Sequence, residues 1–406
     1  MTLRVRTGNG YLLLVLTLVS AVNWADRLVV PILFPGIRRD LGLTDTELGI
    51  VGGMAFSFIY AVASFAFGYA ADRRRRTRLI ALGLLVWSAA TAAGGLATAF
   101  WPLFWARFFT GIGEASLYPC ALSLIAERFP ASRRGRALGL FGSAAAMGGG
   151  LGVGLGGQLS QAFGWQQVFF MYGAVGLVCL PLLLSVDEQP RAPSPEIEPA
   201  ATAVSRTLAD ARLRWLWATG AMAMASGQGF AAWAPSYFVR KLDTSVSLAG
   251  QLFGAAALVG GIAGGLVGGF LADRRSKIRP GGELDVVEGA AFAGAALMWA
   301  TLEGGQGALS GAAALVATLA VYAIFPGVLV LMLTTVPSHR HGMAGALNTL
   351  FLGGIGAAAG PFIVGAASDA VGDLHVALRI PIAGLCVAGL LARQTRRVVG
   401  QKAALT

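Results

Sequence analysis

The chain has 406 residues, of which 56% are hydrophobic before its 57 glycines are counted and only 13% are charged. Soluble domains have about 25% charged residues, and about 45–50% apolar residues with glycine included. This composition excludes a soluble enzyme, a disordered protein and a nucleic-acid-binding protein as the main interpretation. It predicts a polytopic membrane protein.

The net charge of +11 comes from short basic clusters that lie between apolar segments. Such clusters mark the cytoplasmic side of a membrane protein, so the charge does not indicate a nucleic-acid partner. The three cysteines lie in apolar segments without pairing or metal-ligand spacing, and two of the three histidines flank Arg340. We therefore expect no metal and no cofactor.

Twelve apolar runs approach or exceed the roughly 20 residues that a membrane helix needs. The ninth is the shortest and is bracketed by Glu288 and Glu303. The first continues into Asp26 and Arg27 without a small-residue cleavage site, so we expect a retained span rather than a signal peptide. The predicted spans are 11–35, 47–71, 79–100, 102–126, 136–158, 166–185, 213–238, 246–271, 288–303, 308–335, 342–367 and 376–392.

Basic residues are concentrated in alternate loops, beginning with the segment before span 1. The positive-inside rule then places both termini in the cytoplasm, and we expect a monomer in the inner membrane of a prokaryotic cell. Two basic pairs lie on the opposite side and are partly balanced by acids. These exceptions and their acids are Arg38, Arg39, Arg240 and Lys241 with Asp40, Asp45 and Asp243.

Two loops repeat one pattern roughly half a chain length apart, as in transporters built from two parallel six-helix halves. They are Gly68-Tyr-Ala-Ala-Asp72-Arg73-Arg74 and Gly269-Phe-Leu-Ala-Asp273-Arg274-Arg275. A proline-spaced stretch between the halves predicts an extended cytoplasmic linker. The predicted organisation is an N-terminal half 1–185, a linker 186–212, a C-terminal half 213–395 and a cytoplasmic tail 396–406.

Two motifs resemble signatures of the major facilitator superfamily, namely Gly68-x-x-x-Asp72-Arg73-x-x-Arg76 and Arg107-x-x-x-Gly111-x-Gly113-Glu114. Further stretches are similar to the spinster-like transporters of that superfamily: Asp26-Arg27, Gly111-Ile-Gly113-Glu114-Ala115-Ser116 and Trp233-Ala-Pro235-Ser-Tyr237. The Asp-Arg and Arg…Glu pairs also resemble the organic-anion/proton symporters. The resemblance implies an all-α membrane protein with twelve helices in two pseudo-symmetric halves.

Four charged residues lie inside predicted spans, Asp26 and Arg27 in span 1 and Arg107 and Glu114 in span 4. Each costs on the order of 2.5–3.5 kcal/mol at mid-bilayer, so they must face a wet cavity or one another. One interpretation is a static clasp between Asp26 and Arg107. The other is that Asp26 and Glu114 exchange protons while Arg27 and Arg107 hold an anion.

The second half carries polar and aromatic side chains instead of charges in spans 7 and 10. The resemblance implies that spans 1, 4, 7 and 10 line a central cavity, whereas the alternative is that these side chains only pack between helices. The predicted substrate-binding residues beyond the two arginines are Tyr118, Gln228, Trp233, Tyr237, Tyr322 and Phe325.

The repeated loops supply predicted gating residues, Asp72, Arg73, Arg76, Asp273 and Arg274. Asp72 is predicted to act as a latch against the start of span 11, where a helix N-terminus attracts a carboxylate by about 0.3–1 kcal/mol. The alternative is that Asp72 only offsets the neighbouring arginines.

A proton-coupled carrier is therefore the leading hypothesis, and no catalytic residues are predicted. A channel is disfavoured because the chain has no ring of repeated charges or filter-like loop. A membrane enzyme is disfavoured because no hydrolytic constellation lies at a membrane face, and a receptor or scaffold stays open. The spinster-like resemblance implies a lysophospholipid or sphingoid-type cargo, and the symporter resemblance implies sugar acids or other carboxylates.

Overall fold

The computed structural model describes residues 8–71, 73–188, 200–305, 308–337 and 341–403, and in these ranges the regular structure is helical without strands. We number the long helices α1 to α12. Their bounds are Asn9–Leu41, Asp45–Ala71, Arg76–Gly94, Phe100–Arg128, Ala131–Phe163, Trp165–Leu184, Ala211–Lys241, Val246–Ser276, Glu283–Glu303, Ala308–Thr335, Met343–Val371 and Leu374–Gln401.

Eleven helices in the described part of the chain are long and apolar enough to cross a membrane. The helix outside that set is α7, which is 31 residues long but begins with arginines and carries polar side chains along its length. Helix α9 starts at Glu283, earlier than the predicted span 9. A short helix, Ala200–Ala209, lies within the predicted linker, and residues 189–199 of that linker lie outside the described ranges.

The long helices begin and end where local chemistry dictates. Gly42 ends α1 with a positive φ of 66°, and its N–H donates to the carbonyl of Arg38. Thr44 then opens α2 with a capping box, because its side chain accepts from the Glu47 N–H while Glu47 accepts from the Thr44 N–H. Three stretches within α2, α8 and α11 are π-helical: Ile50–Met54, Ala256–Gly260 and Thr349–Gly356.

The described residues form two compact units. The first comprises those within Met1–Leu43, Ile59–Pro195 and Val246–Gly254, and the second those within Thr44–Phe58, Glu196–Ser245 and Ala255–Thr406. Two helices are therefore divided between the units: α2 about evenly, and α8 with only its first turns, Val246–Gly254, in the first unit.

In the first unit, α1 packs mainly on α5, and α3 packs on α4 and α6. Glycines allow the closest approach: a Cβ at Gly152 of α5 would lie 2.6 Å from the Cα of Ala25 in α1. The buried core at one end of this unit includes Leu16, Trp87 and Leu124.

In the second unit, α10 packs on α9 and α8, and α7 packs on α11 and α12. The start of α2 also packs on α11, where a Cβ at Gly53 would lie 2.7 Å from the carbonyl oxygen of Ala358. Small residues thus bring the backbones of these helices together, as is usual where no water drives association between apolar helices.

Candidate functional site

The first unit brings the four membrane-embedded charges together. Asp26 lies on α1 and is almost completely buried, and its Oδ2 accepts a hydrogen bond of 2.6 Å from the Thr91 hydroxyl of α3. Thr110 of α4 lies 3.4 Å from Thr91, oxygen to oxygen. Because an isolated buried carboxylate would be costly, this hydroxyl contact compensates part of the burial of Asp26.

Arg27 turns away from Asp26 towards α4. Its Nε and Nη2 lie 3.3 and 3.1 Å from Oε2 of Glu114. The guanidinium also lies over two aromatic rings, 4.6 Å from the centroid of Trp24 and 4.3 Å from that of Tyr60. These aromatic faces stabilise the cation where water is scarce.

Arg107 is buried on α4, two helical turns before Glu114. The carboxylates of Asp26 and Glu114 both attract its guanidinium, and the Arg27 charge opposes them. The cluster therefore contains two positive and two negative groups within one unit, which we call the four-charge cluster: Asp26, Arg27, Arg107 and Glu114. If all are ionised, its net charge is zero.

Tyr118 follows a break in α4 at Ala115–Ser116, where the helix makes a turn before Leu117–Arg128. The side chain is about half exposed, and its ring centroid lies 5.8 Å from that of Phe141 in α5. It is therefore accessible, unlike the acids of the four-charge cluster.

Two of the aromatic residues predicted to bind substrate in the second unit are buried and hydrogen-bonded to other helices. The indole N–H of Trp233 donates to the carbonyl of Pro361 at 2.8 Å, and the Tyr237 hydroxyl donates to the carbonyl of Leu302 at 3.0 Å. The Tyr237 ring also stacks on His375 with centroids 5.4 Å apart. These contacts hold α7 to its neighbours, as the packing alternative predicts.

The other three predicted substrate residues of the second unit are only partly buried. They are Gln228 of α7 and the pair Tyr322 and Phe325 of α10, whose ring centroids lie 6.4 Å apart. Partial exposure leaves these side chains able to contact a ligand.

The predicted gating residues have different surroundings. Arg73 is exposed and lies 3.6 Å from the centroid of the Tyr69 ring, and Asp273 and Arg274 are exposed at the end of α8. Arg76 is buried, and its Nη1 lies 2.7 Å from Glu127. Asp72, the predicted latch, lies outside the described residues.

Arg76 and the start of α3 are held by Glu188, which follows α6. One Glu188 oxygen accepts from the backbone N–H and Nε of Arg76, and the other from the backbone N–H and hydroxyl of Thr77. Burial alone would raise the pKa of Glu188, but these hydrogen bonds outweigh it and hold the pKa below its usual value. Glu188 thus caps a helix and neutralises an arginine at the same time.

A second polar cluster, absent from the predicted site, joins the start of α2 to α7 and α11. Arg240 lies 2.8 and 2.9 Å from the two carboxylate oxygens of Asp45, and the Ser368 hydroxyl donates to Asp45 at 2.7 Å. Asp369 accepts from the backbone N–H groups of Asp45 and Thr46. The sequence does carry a signal for this cluster: the basic pair at 240–241 lies on the side of the membrane where the alternating pattern of loops otherwise has few basic residues.

Within the described ranges, no three His, Cys, Asp or Glu side chains lie close enough to hold a metal ion. In the four-charge cluster, the carboxylates are groups that can take up protons and the guanidiniums are groups that can bind anions.

Comparison with known proteins gives relatives of several kinds. An "MFS-type efflux pump" of Mycolicibacterium smegmatis is 31% identical over 66% of this chain and 63% of its own length. "Probable galactarate/D-glucarate transporter GudP" of Bacillus subtilis is 28% identical over 65% of this chain and 64% of its own length. The chain thus aligns with less than two thirds of these two proteins. "Protein spinster homolog 1" of Xenopus laevis is 25% identical over 90% of this chain and 75% of its own length.

The fold also matches a crystal structure. A bacterial homologue of the human lysosomal transporter spinster, in an inward-facing and unoccupied conformation, superposes with a TM-score of 0.84. That match covers 97% of this chain and 98% of the other at 23% identity. The similarity to both spinster-like and organic-anion transporters is confirmed.

The Major Facilitator Superfamily model matches residues 16–361, which include the four-charge cluster and most of the helices of both units. The relatives described above that belong to this superfamily are transporters rather than enzymes. With the all-helical multi-pass architecture and the superposition described above, this match shows that the chain belongs to the major facilitator superfamily.

Proposed function

We propose that the protein is a proton-coupled secondary transporter that moves an amphipathic anion, such as a lysophospholipid or a sphingoid-type lipid, by alternating access. The observation that carries this proposal is the four-charge cluster. Ionisable groups inside spanning helices are costly and mark ion or substrate pathways. The resemblance to spinster-like transporters supports the lipid class.

The charge balance of the cluster links protons to an anion. With Asp26 and Glu114 ionised, each guanidinium has a carboxylate to neutralise it. Protonation of either acid leaves the cluster with a net charge of +1, which favours entry of an anion next to Arg27 or Arg107. A guanidinium can hold a carboxylate or phosphate through two parallel hydrogen bonds. Protonation of the cluster therefore favours binding of the anion, and binding of the anion favours protonation.

In the second unit, Gln228, Tyr322 and Phe325 are the side chains that we propose to contact the apolar part of the substrate, because they are partly exposed. Trp233 and Tyr237 hold α7 to neighbouring helices through their hydrogen bonds to Pro361 and Leu302. No residue of this set is charged, which suits an alkyl chain better than a sugar.

We further propose twelve membrane spans, with α7 as the seventh, and both termini in the cytoplasm of a prokaryotic cell. The two halves would end at residues 185 and 395, and the protein would work as a monomer. The alternating arginine clusters support this orientation.

The alternative function is proton-coupled symport of small organic anions. It is favoured by the similarity to the Bacillus subtilis galactarate/D-glucarate transporter. It also fits the presence of two guanidiniums in one cluster, which match the two carboxylates of a sugar diacid.

The test is uptake into proteoliposomes under an imposed proton gradient, with labelled lysophosphatidylglycerol and labelled galactarate as probes. We expect gradient-driven lysolipid uptake that a protonophore abolishes and that Glu114→Gln removes. Glu303→Gln is the matched control, because Glu303 lies at the end of α9 outside the cluster. Uptake of galactarate without uptake of the lysolipid would establish the alternative. If neither probe is taken up under a proton gradient, proton-coupled transport of both substrate classes is wrong.

A further inference from the structure

The end of the first unit near Arg76 carries an excess of positive charge. Residues 73–78 and 128–136 contain nine arginines, whereas the acids around them are Asp72, Glu127, Asp187 and Glu188. Clusters of this density next to a spanning helix attract anionic membrane lipids. The structure shows which of these charges are already neutralised.

Glu188 and Glu127 are both occupied by Arg76. Four hydrogen bonds direct the Glu188 oxygens at Arg76 and Thr77, and Glu127 lies 2.7 Å from Arg76. Because the α3 N-terminus is already capped by this carboxylate, it is not itself an anion site. The remaining attraction for an anion must come from other arginines.

Arg75 and Arg78 are the arginines that border a cleft at this point. Among the described residues, no hydrogen bond or ion pair is made by either guanidinium. The cleft lies where α3 begins and α6 ends and has a volume of about 50 Å³. Its lining is Arg75, Thr77, Arg78, Leu184, Val186 and Glu188.

Below the cleft, the lipid-facing surface is apolar. Arg78, Leu82 and Leu85 follow one another at helical spacing on one face of α3, and both leucines are exposed. On the neighbouring helix α6, Leu177 and Leu184 are exposed as well. A strip of leucines on two packed helices therefore runs from the charged cleft towards the membrane interior.

We propose that this cleft, the Arg75–Arg78 cleft, binds the phosphate of an anionic phospholipid of the surrounding membrane, with an acyl chain along the leucine strip of α3 and α6. The phosphate oxygens accept hydrogen bonds from Arg75 and Arg78. The leucines supply the contact that a soluble anion would lack. This site is separate from the four-charge cluster and does not depend on the transported substrate.

The corresponding end of the second unit supports the assignment by contrast. There three arginines have acidic partners. Arg279 lies 2.6 Å from Asp285, and Arg393 lies 2.5 Å from Glu288. Arg396 contacts both of these acids. Since these three guanidiniums already have carboxylate partners, we do not expect them to form the same kind of lipid site.

The experiment is native mass spectrometry of the full chain in detergent, titrated with phosphatidylglycerol, phosphatidylcholine or inorganic phosphate. We expect phosphatidylglycerol to bind more tightly than phosphatidylcholine, and inorganic phosphate not to compete at equal concentration. An arginine that directly contacts the headgroup of an anionic lipid is expected to contribute about fivefold to its affinity. The double variant Arg75→Gln/Arg78→Gln should therefore lose about thirtyfold in phosphatidylglycerol affinity.

The matched control is Arg133→Gln/Arg136→Gln, which removes the same charge from exposed positions on α5 outside the cleft. This control should lower the affinity for phosphatidylglycerol by less than about tenfold, a third of the loss expected for the cleft variant. Arg75→Lys/Arg78→Lys keeps the charge and should retain most of the binding. Equal affinity for the two lipids, equal losses in both glutamine variants, or binding of inorganic phosphate as tight as that of the lipid would each overturn the proposal.

Discussion

The side chain of Asp26 can be neutralised by substitution while its hydrogen bond from Thr91 is kept. Asparagine has the same shape and still accepts the hydrogen bond from Thr91, but it cannot take up a proton. We predict that Asp26→Asn folds normally and loses proton-driven accumulation of substrate. Uptake at several pH values, with and without a gradient, measures this. Accumulation by the variant with the pH dependence of the wild type would refute Asp26 as the principal proton site.

Arg107 is the most enclosed guanidinium of the four-charge cluster. Lysine keeps the charge but lacks the planar fork that holds a carboxylate or phosphate through two bonds. We predict that Arg107→Lys and Arg107→Ala both weaken substrate binding by about tenfold or more, as expected for loss of about 1.5–3 kcal/mol of charge-assisted hydrogen bonding.

Arg240→Lys is the control for this prediction, because Nη1 of Arg240 contacts both oxygens of Asp45 and an ammonium can occupy the same position. Binding is measured by the shift in melting temperature on addition of substrate. Unchanged binding by Arg107→Ala would leave the static clasp as the role of Arg107.

The sequence could predict the charged members of the site but not the hydroxyl that supports them. Asp26 and Glu114 stand out because they interrupt apolar runs. Thr91 does not, because a threonine in such a helix ordinarily donates to a carbonyl of its own helix, as Thr110 donates to Ala106. Only the hydrogen bond from Thr91 of α3 to Asp26 of α1 distinguishes the two threonines.

The pairing of α1 with α5 depends on glycine at the contact. A Cβ at Gly152 would lie 2.6 Å from the Ala25 backbone, whereas a Cβ at Gly139 on the same helix would meet no atom within 4 Å. We predict that Gly152→Val destabilises the protein by about 3 kcal/mol through overpacking. Gly139→Val carries the same change in helix propensity and should have almost no effect. Equal melting temperatures for the two variants would contradict this close contact.

The capping of α3 by Glu188 predicts a dependence of stability on pH. Because the folded-state pKa of Glu188 lies below its usual value, its contribution is complete above the unfolded value of about 4.3 and is lost as the pH falls through the folded value. Glu188→Gln should lower stability by about 3 kcal/mol at neutral pH, since it leaves Arg76 partly unpaired.

Melting temperatures measured from pH 7 to pH 3 test this prediction. The melting temperature of the wild type should exceed that of Glu188→Gln at neutral pH, and the difference should disappear only at the acid end of the range. A difference that is constant over the whole range would show that the charge of Glu188 does not contribute.

At the level of elements, periodicity and charge predicted the helices but not which side chains hold them together. Trp233 and Tyr237 form a motif that suits either a cavity wall or a helix contact, and the sequence does not reveal their hydrogen bonds to Pro361 and Leu302. In the same way, nothing in a run of consecutive arginines distinguishes buried Arg76 from exposed Arg74.

For the whole molecule, the proposed alternating-access cycle requires one end to close while the other opens. We predict that Asp72 stabilises closure of the cytoplasmic end through the start of α11. Asp72→Asn should then increase labelling of cysteines introduced on the cytoplasmic side and decrease it on the other side. Asp273→Asn, at the repeated position, is the comparison variant. If labelling of Asp72→Asn equals that of the parent on both sides, the latch is wrong.

The π-helical stretches of α2 and α8 have a mechanical consequence. Ile50–Met54 ends a few residues before α2 passes from the second unit to the first, and Ala256–Gly260 begins just after α8 passes from the first to the second. A π-turn interrupts the regular hydrogen-bond ladder and is a common place for a helix to kink. The regular ladder is therefore interrupted within a few residues of the point where each helix changes unit, so we expect any bend of α2 or α8 to form there.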